Sequence, residues 1–300
     1  MRFMGLDLNL LVAFRAIMDT RSVTGAAQQL HLTQPAVSNA LQRLRQYFDD
    51  DLFVPSGNRM LPTPLADRLA GPVKAILADS TAMLATARPF DPPTADRLFV
   101  IAAPDDVTEV VIAPALNRIF DAAPGIRLDI VPLTADHSTP LNSGDVDMHI
   151  VPRAFSVPNQ PTISLYDDDY VVLGDRDNPA LRHGMTGAEL RRFHIVGALI
   201  VAPRRMTGAH APQMVARLLD EASVTVKNFS QLPALIAGSE RLAVVPRRHA
   251  EVMCRHYPLS AYDMAEKGPP LEMVLQLERK RENDAGLQWL AEELVATMRR

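Results

Sequence analysis

Hydrogen-bonding side chains recur at helical spacing along one short segment of the chain. The set, which holds no carboxylate, comprises Gln34, Ser38, Asn39, Gln42, Arg43 and Arg45. Amide side chains can pair bidentately with adenine and arginine with guanine, while serine and arginine can also hold phosphate oxygens. These side chains could therefore read bases in a DNA major groove. The alternative is an ordinary solvated helix face.

Two short helices joined by a tight turn can position this face. Residues 22–30 carry one apolar stripe and residues 33–48 a second, both with the 3.6-residue period of an amphipathic helix. Ser22 and Thr33 are suitable N-caps, and Pro35 falls in the first turn of the second helix, where its missing N–H is not needed. The pattern predicts a helix-turn-helix.

The flanking segments complete a winged helix-turn-helix. Residues 5–20 have a broad apolar side that can cover the other two helices, and residues 51–62 are typical of two short strands around a turn at residues 56–58. Arg59 follows the tip of this wing, within reach of a phosphate or a minor groove. The predicted DNA contacts are Ser22, Thr33, Gln34, Pro35, Ser38, Asn39, Gln42, Arg43, Arg45 and Arg59. The acidic residues 49–51 should face away from the phosphates.

The segments DLNLLVAF, SVTGAAQQLHLTQPAVSNALQRLR and DDLFVPSGNRMLPTP resemble the amino-terminal domain of the LysR-type transcriptional regulators, and within that family the branch that contains the nodulation regulator NodD. The resemblance is strong over the first 90 residues and looser beyond them. It implies a sequence-specific regulator whose binding or bending of double-stranded promoter DNA is modulated by a small-molecule effector of unknown identity. It also implies a homodimer or homotetramer, and no cofactor.

The charge distribution is asymmetric in the direction that DNA binding requires. The first 90 residues carry nine Lys and Arg against seven Asp, and the rest of the chain carries 22 basic against 28 acidic residues. So small a basic excess favours a few placed contacts in a dimer over bulk electrostatic attraction.

Residues 63–90 are predicted to form a long linker helix. Thr63 can cap it, Pro64 occupies its first position, and a wide apolar seam follows. The seam can pack on the helix's own DNA-binding domain or, as the resemblance implies, pair with a second linker helix, and we favour the dimer. Pro72, after Gly71, predicts a kink or break. The Pro-rich residues 90–97 mark a domain boundary.

Beyond this boundary short β-rich runs alternate with helical stretches, which predicts α/β units with a largely parallel sheet. The expected strands are 98–103, 126–133, 146–151, 170–175, 193–202, 224–229, 241–246 and 271–277, and the expected helices are 107–123, 211–222, 231–237 and 285–299. The overall fold class is therefore a two-part α+β chain: a winged helix-turn-helix (1–62), a linker helix (63–90) and a C-terminal α/β domain (91–300). The resemblance implies a periplasmic-binding-protein-like effector domain with subdomains 96–167 plus 268–300 and 168–267.

Ligands of open α/β sheets lie outside the carboxyl ends of the strands. The candidate effector contacts that follow from this rule are Pro104, Asp105, Leu133, Thr134, Arg153, Pro203, Arg204, Phe229 and Ser230. Singly, each is as well explained as a cap or a turn. Asp105 and Asp106 would repel a carboxylate, which favours a neutral, phenolic or cationic effector unless Arg153, Arg204 or Arg205 turns inward.

Other functions were weighed against this interpretation. The sequence holds no nucleophile elbow, P-loop or dinucleotide-binding glycine motif, so we expect no catalytic activity. His137, His149, Asp145 and Asp147 could be considered as metal ligands, but a buried strand explains them better. Residues 167–169 are expected to be a solvated crossover or to hydrogen-bond a hinge. One cysteine, Cys254, and no apolar run of about 18 residues indicate a cytoplasmic protein. A stand-alone solute-binding protein would share the cleft but would not need residues 1–62.

Overall fold

A computed structural model of the chain describes residues 2–3, 5–57, 59–86, 90–134, 136–198 and 213–299. The chain divides into two compact units, Met1–Ala87 and Arg88–Arg300. Among the helices in the described ranges, none is long and apolar enough to cross a membrane.

The first unit is a helical domain with two small hairpins. Its helices are α1 (Asn9–Thr20), α2 (Val23–Gln29), α3 (Gln34–Phe48) and α4 (Pro64–Thr86). Its strands are β1 (Arg2–Phe3), β2 (Leu6–Asp7), β3 (Phe53–Ser56) and β4 (Arg59–Pro62), paired antiparallel as β1 with β2 and β3 with β4. The predicted winged helix-turn-helix is confirmed.

The core of this unit joins α1, α3 and the wing. Phe14 of α1 and Phe53 of β3 are both buried, and their ring centroids are 5.3 Å apart. Leu44 of α3 is fully buried in the same cluster. Burial of these large side chains, at roughly 1.5–3 kcal/mol each, fixes the orientation of α3 within the unit.

The first half of α4 belongs to the same core. Ala66 and Val73 are buried in it, and Leu69 packs partly against it. The predicted break at Pro72 is wrong, because the helix continues from Pro64 to Thr86. Gly71 and Pro72 are exposed, so water can satisfy the Arg68 carbonyl that the proline leaves without an intrahelical donor.

The second unit contains two five-stranded sheets. The first has the order β6-β5-β7-β14-β8 and the second β11-β10-β12-β9-β13. The strands are β5 (Leu98–Ala102), β6 (Arg127–Val131), β7 (Met148–Pro152), β8 (Thr162–Asp168), β9 (Tyr170–Asp175), β10 (Ile195–Ala198), β11 (Val224–Val226), β12 (Leu242–Pro246), β13 (Leu259–Asp263) and β14 (Leu271–Leu277).

Each sheet combines parallel and antiparallel pairs. In the first, β5 runs parallel to β6 and β7, whereas β14 runs antiparallel to β7 and β8. In the second, β10 runs parallel to β11 and β12, and β9 runs antiparallel to β12 and β13. The chain leaves the first sheet after β8, builds the second, and returns to the first in β14.

Helices connect these strands. They are α5 (Asp105–Val107), which runs through a π-helical turn at Thr108–Ile112 into α6 (Ala113–Ala122), then α7 (Ser138–Asn142), α8 (Gly187–Leu190), α9 (Gln213–Asp220), α10 (Leu232–Ile236), α11 (Arg247–His256) and α12 (Ala285–Met298). Buried faces of α6 and α12 form the core of the first sheet with Phe99 and Ile101.

In the second unit, sequence reasoning missed the strands β8 and β13, the helix α11 and the short helices α7 and α8. The strands β8 and β13 carry polar and acidic residues, and only two of the seven residues of β8 are buried, so neither shows a clear alternation. The helix α11 has the sequence RRHAEVMCRH, whose charge masks a narrow buried face of His249, Ala250 and Met253.

Candidate DNA-binding and effector sites

Side-chain caps define the beginning of each helix in the helix-turn-helix. The Ser22 hydroxyl accepts a hydrogen bond from the Gly25 N–H at 3.2 Å, and the Thr33 hydroxyl accepts one from the Ala36 N–H at 3.4 Å. Between the two helices His31 adopts a left-handed backbone with φ of 54°. These bonds satisfy backbone donors that the first helical turns leave free, and both predicted caps are confirmed.

The polar side of α3 is exposed in this unit. Val37, Leu41 and Leu44 are buried on the opposite side. The exposed predicted contacts are Thr33, Gln34, Pro35, Ser38, Asn39, Gln42 and Arg43. The helix therefore presents amide, hydroxyl and guanidinium groups on a surface that the rest of the unit does not cover.

Arg43 has an acidic neighbour at the edge of this surface. Its guanidinium lies 3.0 Å from the Asp7 carboxylate. The Asn9 backbone N–H and then Arg43 lower the pKa of Asp7. An ion pair this exposed contributes little to stability, so Arg43 can exchange Asp7 for a phosphate at small cost.

Arg45, also predicted as a DNA contact, has hydrogen-bond partners within its own domain. Its guanidinium donates to the backbone carbonyls of Asp51 and Phe53 at 2.7 and 2.6 Å. Asp51 lies in the tight connection from α3 to β3, where its carbonyl also accepts a hydrogen bond from the Phe53 N–H, and Phe53 begins β3. Arg45 therefore ties the end of α3 to the wing.

The wing is held from two further sides. The Met60 N–H donates to the Arg21 carbonyl at 2.8 Å. Asp50 accepts from the Thr63 hydroxyl at 2.7 Å, and this bond, followed by that from the Leu52 N–H, lowers the pKa of Asp50. Arg59, opposite Ser56 in the hairpin register, is exposed.

A cavity of about 100 Å³ lies between the two sheets of the second unit. Its walls are mainly apolar and come from both sheets and their helices. They comprise Pro104, Asp106, Leu133, Pro152, Phe155, Tyr170, Ala198, Leu219, Phe229, Val244, Pro246, Leu271 and Met273. Pro104, Leu133 and Phe229 were predicted from the sequence.

Two other predicted residues clasp the two sides of this cleft. The Asp105 carboxylate accepts from the backbone N–H groups of Phe229 and Ser230, at 3.1 and 2.8 Å. Asp105 is the first residue of the helix that follows β5, and Phe229 follows β11, so the bonds cross from one sheet's elements to the other's. Asp105 is thus used as a hydrogen-bond acceptor within the protein.

Two further predicted effector residues, Arg153 and Thr134, do not line the cavity. Arg153 is exposed just after the end of β7. Its guanidinium donates to the Glu272 carboxylate and the Ser164 hydroxyl, which belong to the neighbouring strands β14 and β8. Thr134 is exposed and donates to the Asp136 carbonyl. Pro203 and Arg204 lie outside the described residues.

Other wall positions differ in how far the sequence could reveal them. Pro152, Ala198 and Pro246 end β7, β10 and β12, where the strand-end rule applies. Tyr170 and Met273 lie in strands next to the crossings between the sheets, which no local pattern reveals.

Asp106 is the acidic member of the cavity wall. It is 7% exposed, and its Oδ1 has no hydrogen-bond partner among the described residues. Burial raises the pKa of Asp106 to about 7, and the negative charges of Asp105 and Asp168 act in the same direction. This carboxyl group can therefore be neutral near neutral pH.

The histidines once considered as metal ligands belong to a buried hydrogen-bond network. His149 Nε2 lies 2.8 Å from Gln276 Oε1, and burial lowers the pKa of His149 to about 4. Gln276 also bonds the backbone of Val157. Within the described ranges no group of three or more potential ligands could hold a metal ion.

The acidic run at residues 167–169 hydrogen-bonds the hinge. Asp168 is buried and accepts from the Arg248 N–H at 3.2 Å, while Asp169 pairs with the Arg247 guanidinium at 2.6 and 2.9 Å. Both bonds join the crossing after β8 to the beginning of α11. Asp168 and Asp169 thus fit the hydrogen-bonding alternative, whereas Asp167 is exposed.

Comparisons with known families cover both units. Residues 8–67 match the model of the bacterial regulatory helix-turn-helix proteins of the LysR family, and residues 94–299 match that of the LysR substrate binding domain. Nodulation protein D 2 of Rhizobium tropici is 35% identical over 295 residues, covering 98% of this chain and 94% of its own length.

Two solved structures share the fold along nearly the whole chain. The probable transcriptional regulator PA0477 from Pseudomonas aeruginosa has a TM-score of 0.74 at 30% identity and covers 96% of each chain. Full-length CbnR complexed with its target DNA has a TM-score of 0.52 at 14% identity and covers 98% of this chain and all of its own. An exposed recognition helix, a cavity between the two sheets of the second unit and matches to both family models lead to one conclusion: the chain belongs to the LysR family, as a transcriptional regulator that binds promoter DNA and a small-molecule effector.

Proposed function

We propose that the regulator reads its operator with the exposed polar side of α3 and the tip of the wing. Gln34, Ser38, Asn39 and Gln42 face the bases, and Arg43 and Arg59 hold phosphates. Thr33, Pro35 and Ser22 fix the entry of the helices. The observation that carries this proposal is that the predicted contacts on α3 up to Arg43 are all exposed, opposite a buried apolar side.

We further propose that the effector occupies the cavity between subdomains 96–167 plus 268–300 and 168–267. The mainly apolar wall with few polar groups supports this, since small-molecule sites have that composition. The DNA-binding domain would comprise residues 1–62, the linker helix 63–90 and the effector domain 91–300. The protein would act in the cytoplasm, without catalytic activity of its own.

Replacement of Gln34 tests the DNA-reading surface. Gln34→Ala removes a group that can pair bidentately with adenine, and we expect it to weaken operator binding by about 1–3 kcal/mol. Fluorescence polarisation on an operator selected from random duplexes by the wild-type protein measures the change.

Gln46→Ala is the matched control, since Gln46 is exposed on the same helix but lies about 18 Å further along its axis than Gln34, near the C-terminal end of α3. It should bind the operator as the wild type does. Equal affinities of all three proteins, with the helix intact, would place the reading surface elsewhere.

A further inference from the structure

Asp106, the acidic residue of the cavity wall, combines three properties. It lines the cavity, it is more than nine-tenths buried, and its Oδ1 has no partner among the described residues. A buried polar atom without a partner costs about 1–3 kcal/mol. Such an atom beside an apolar cavity is explained if a ligand supplies the missing partner.

We propose that the Asp106 carboxyl group forms the specificity-determining hydrogen bond of this cavity, by donating its O–H to a carbonyl or hydroxyl oxygen of an uncharged, largely apolar effector. The proposal rests on the proposed location of the effector site. It narrows the class of ligand that the cavity selects.

Burial and the acidic groups around Asp106 favour its neutral form, against the backbone N–H groups of Val107 and of Asp106 itself, which lower its pKa. Asp105 and Asp168 are both acidic neighbours, and Glu109 lies one turn further along the same helix. Tyr166 and Tyr170 face it from β8 and β9, and burial raises the pKa of both phenols, so they stay uncharged. These neighbours supply no positive charge that would stabilise a carboxylate.

The cations of α11 are occupied elsewhere. The Arg248 guanidinium lies over the Tyr166 ring, 4.9 Å from its centroid, and it is the Arg248 backbone N–H that bonds Asp168. His249 bonds Glu109 at 3.1 Å, and burial lowers the pKa of His249 despite that carboxylate. A carboxylate ligand would therefore be repelled by the acidic side chains of this site.

A cationic ligand is also disfavoured. The Asp105 carboxylate is used by the N–H groups of Phe229 and Ser230, and a neutral Asp106 offers no counter-charge. An uncharged molecule with one oxygen acceptor can pack against the apolar wall and accept a hydrogen bond from the Asp106 O–H.

Three probes of nine heavy atoms separate these possibilities. Acetophenone carries a carbonyl acceptor, α-methylstyrene replaces that C=O by C=CH₂ in nearly the same shape, and benzoate is an anion. Binding to the full-length protein is followed by ligand-observed NMR titration at pH 6 and pH 8.5. At pH 6 the wild type should bind acetophenone about tenfold more tightly than α-methylstyrene, the worth of one hydrogen bond, and should not bind benzoate.

The pH response and two variants identify the donor. At pH 8.5 the acetophenone preference of the wild type should fall to about one, because an ionised Asp106 cannot donate. Asp106→Asn keeps a donor and should retain the preference at both pH values. Asp106→Leu should lose it at both, and Asp129→Asn, at an exposed position of β6, should behave as the wild type.

The outcomes decide the proposal separately from the function on which it rests. A wild-type protein that binds the ketone and the alkene equally at pH 6, that binds benzoate best, or that binds none of the probes overturns it. The effect of acetophenone on operator affinity is measured in parallel. If the Asp106 pattern holds while operator affinity is unchanged by the probe, the cavity is a selective ligand site and its proposed role as the effector site fails.

Discussion

At the residue scale, hydrogen bonding decides which polar side chains are free to act on DNA. Arg43 and Arg45 are two residues apart in α3, yet Arg45 is bound to the carbonyls of Asp51 and Phe53 while Arg43 meets an exposed carboxylate. Sequence reasoning predicted both as DNA contacts because type and spacing are alike. The difference depends on where the chain turns after α3, which only the fold determines.

Loss of the Arg45 side chain should cost stability. Arg45→Ala removes two hydrogen bonds to carbonyls at the base of the wing and should lower the free energy of unfolding of the DNA-binding unit by about 1–3 kcal/mol. Arg45→Lys should recover only part, since an ammonium cannot donate in the planar fork of a guanidinium. Urea denaturation followed by circular dichroism measures both. Weaker operator binding with an unchanged unfolding midpoint would restore Arg45 to the DNA-contacting set.

Asp106 should make the stability of the effector domain fall as pH rises. Its folded pKa of about 7 exceeds its ordinary value, so its favourable contribution is complete below about pH 4 and is lost as pH rises through 7. Asp106→Asn does not ionise, and its stability relative to the wild type should increase by about 1–4 kcal/mol between pH 5 and pH 8.5, at about 1.4 kcal/mol per pKa unit. Thermal denaturation at both pH values measures this difference. An identical pH profile of the two proteins would show that Asp106 ionises normally.

At the scale of elements, the sequence predicted best those helices and strands in which the apolar residues follow one clear period. The three N-terminal helices, the hairpin, β9 and β14 follow from apolar spacing and caps, and β9 and β14 have the predicted bounds. The strand β13 and the helix α11 could not be found this way, because their burial depends on partners far along the chain. The cavity wall shows the same division: strand ends could be predicted, whereas Asp106 was noted only for its charge, and the isolation of its Oδ1 follows from packing.

The linker helix α4 carries apolar side chains beyond its contact with the domain core. Ile76 and Met83, seven residues apart, are 41% and 67% exposed. Residues at this spacing lie on one side of a helix and are typical of a helix-pairing seam. Packing within the unit thus explains Leu69 and Val73, whereas Ile76 and Met83 are available to a second copy.

Charge on this seam should weaken the oligomer. Ile76→Glu together with Met83→Glu places two carboxylates where a second linker helix would pack, and we expect the dissociation constant of the dimer to rise at least tenfold. Analytical ultracentrifugation across a concentration series measures it. Val54→Glu, which charges an exposed apolar residue of the wing, should leave assembly unchanged. A dimer equally stable in both variants would mean that other surfaces hold it together.

At the scale of the effector domain, two sheets are joined by strand crossings and by polar clasps. Asp105 binds the backbone at Phe229 and Ser230, and Glu109 binds His249. Both acceptors lie on the helix that follows β5, and all their partners belong to elements of the second sheet. A ligand held between the sheets can favour one separation of these elements over another, which is the differential binding that effector control requires.

The clasp at Asp105 should control how freely this cleft opens. Asp105→Ala removes both acceptors and should speed amide exchange at Phe229 and Ser230 by about 10- to 100-fold, since hydrogen bonds to a charged group contribute about 1.5–3 kcal/mol. Asp105→Asn retains one acceptor oxygen and should give an intermediate rate. Hydrogen exchange with mass spectrometry on peptides that span residues 226–234 measures this, with Asp129→Ala as a control. Because Asp105 and Asp106 are adjacent but have different tasks, Asp105→Ala should change the exchange rate and leave the preference for a carbonyl ligand intact. Unchanged exchange at both amides would show that the strand crossings alone hold the cleft closed.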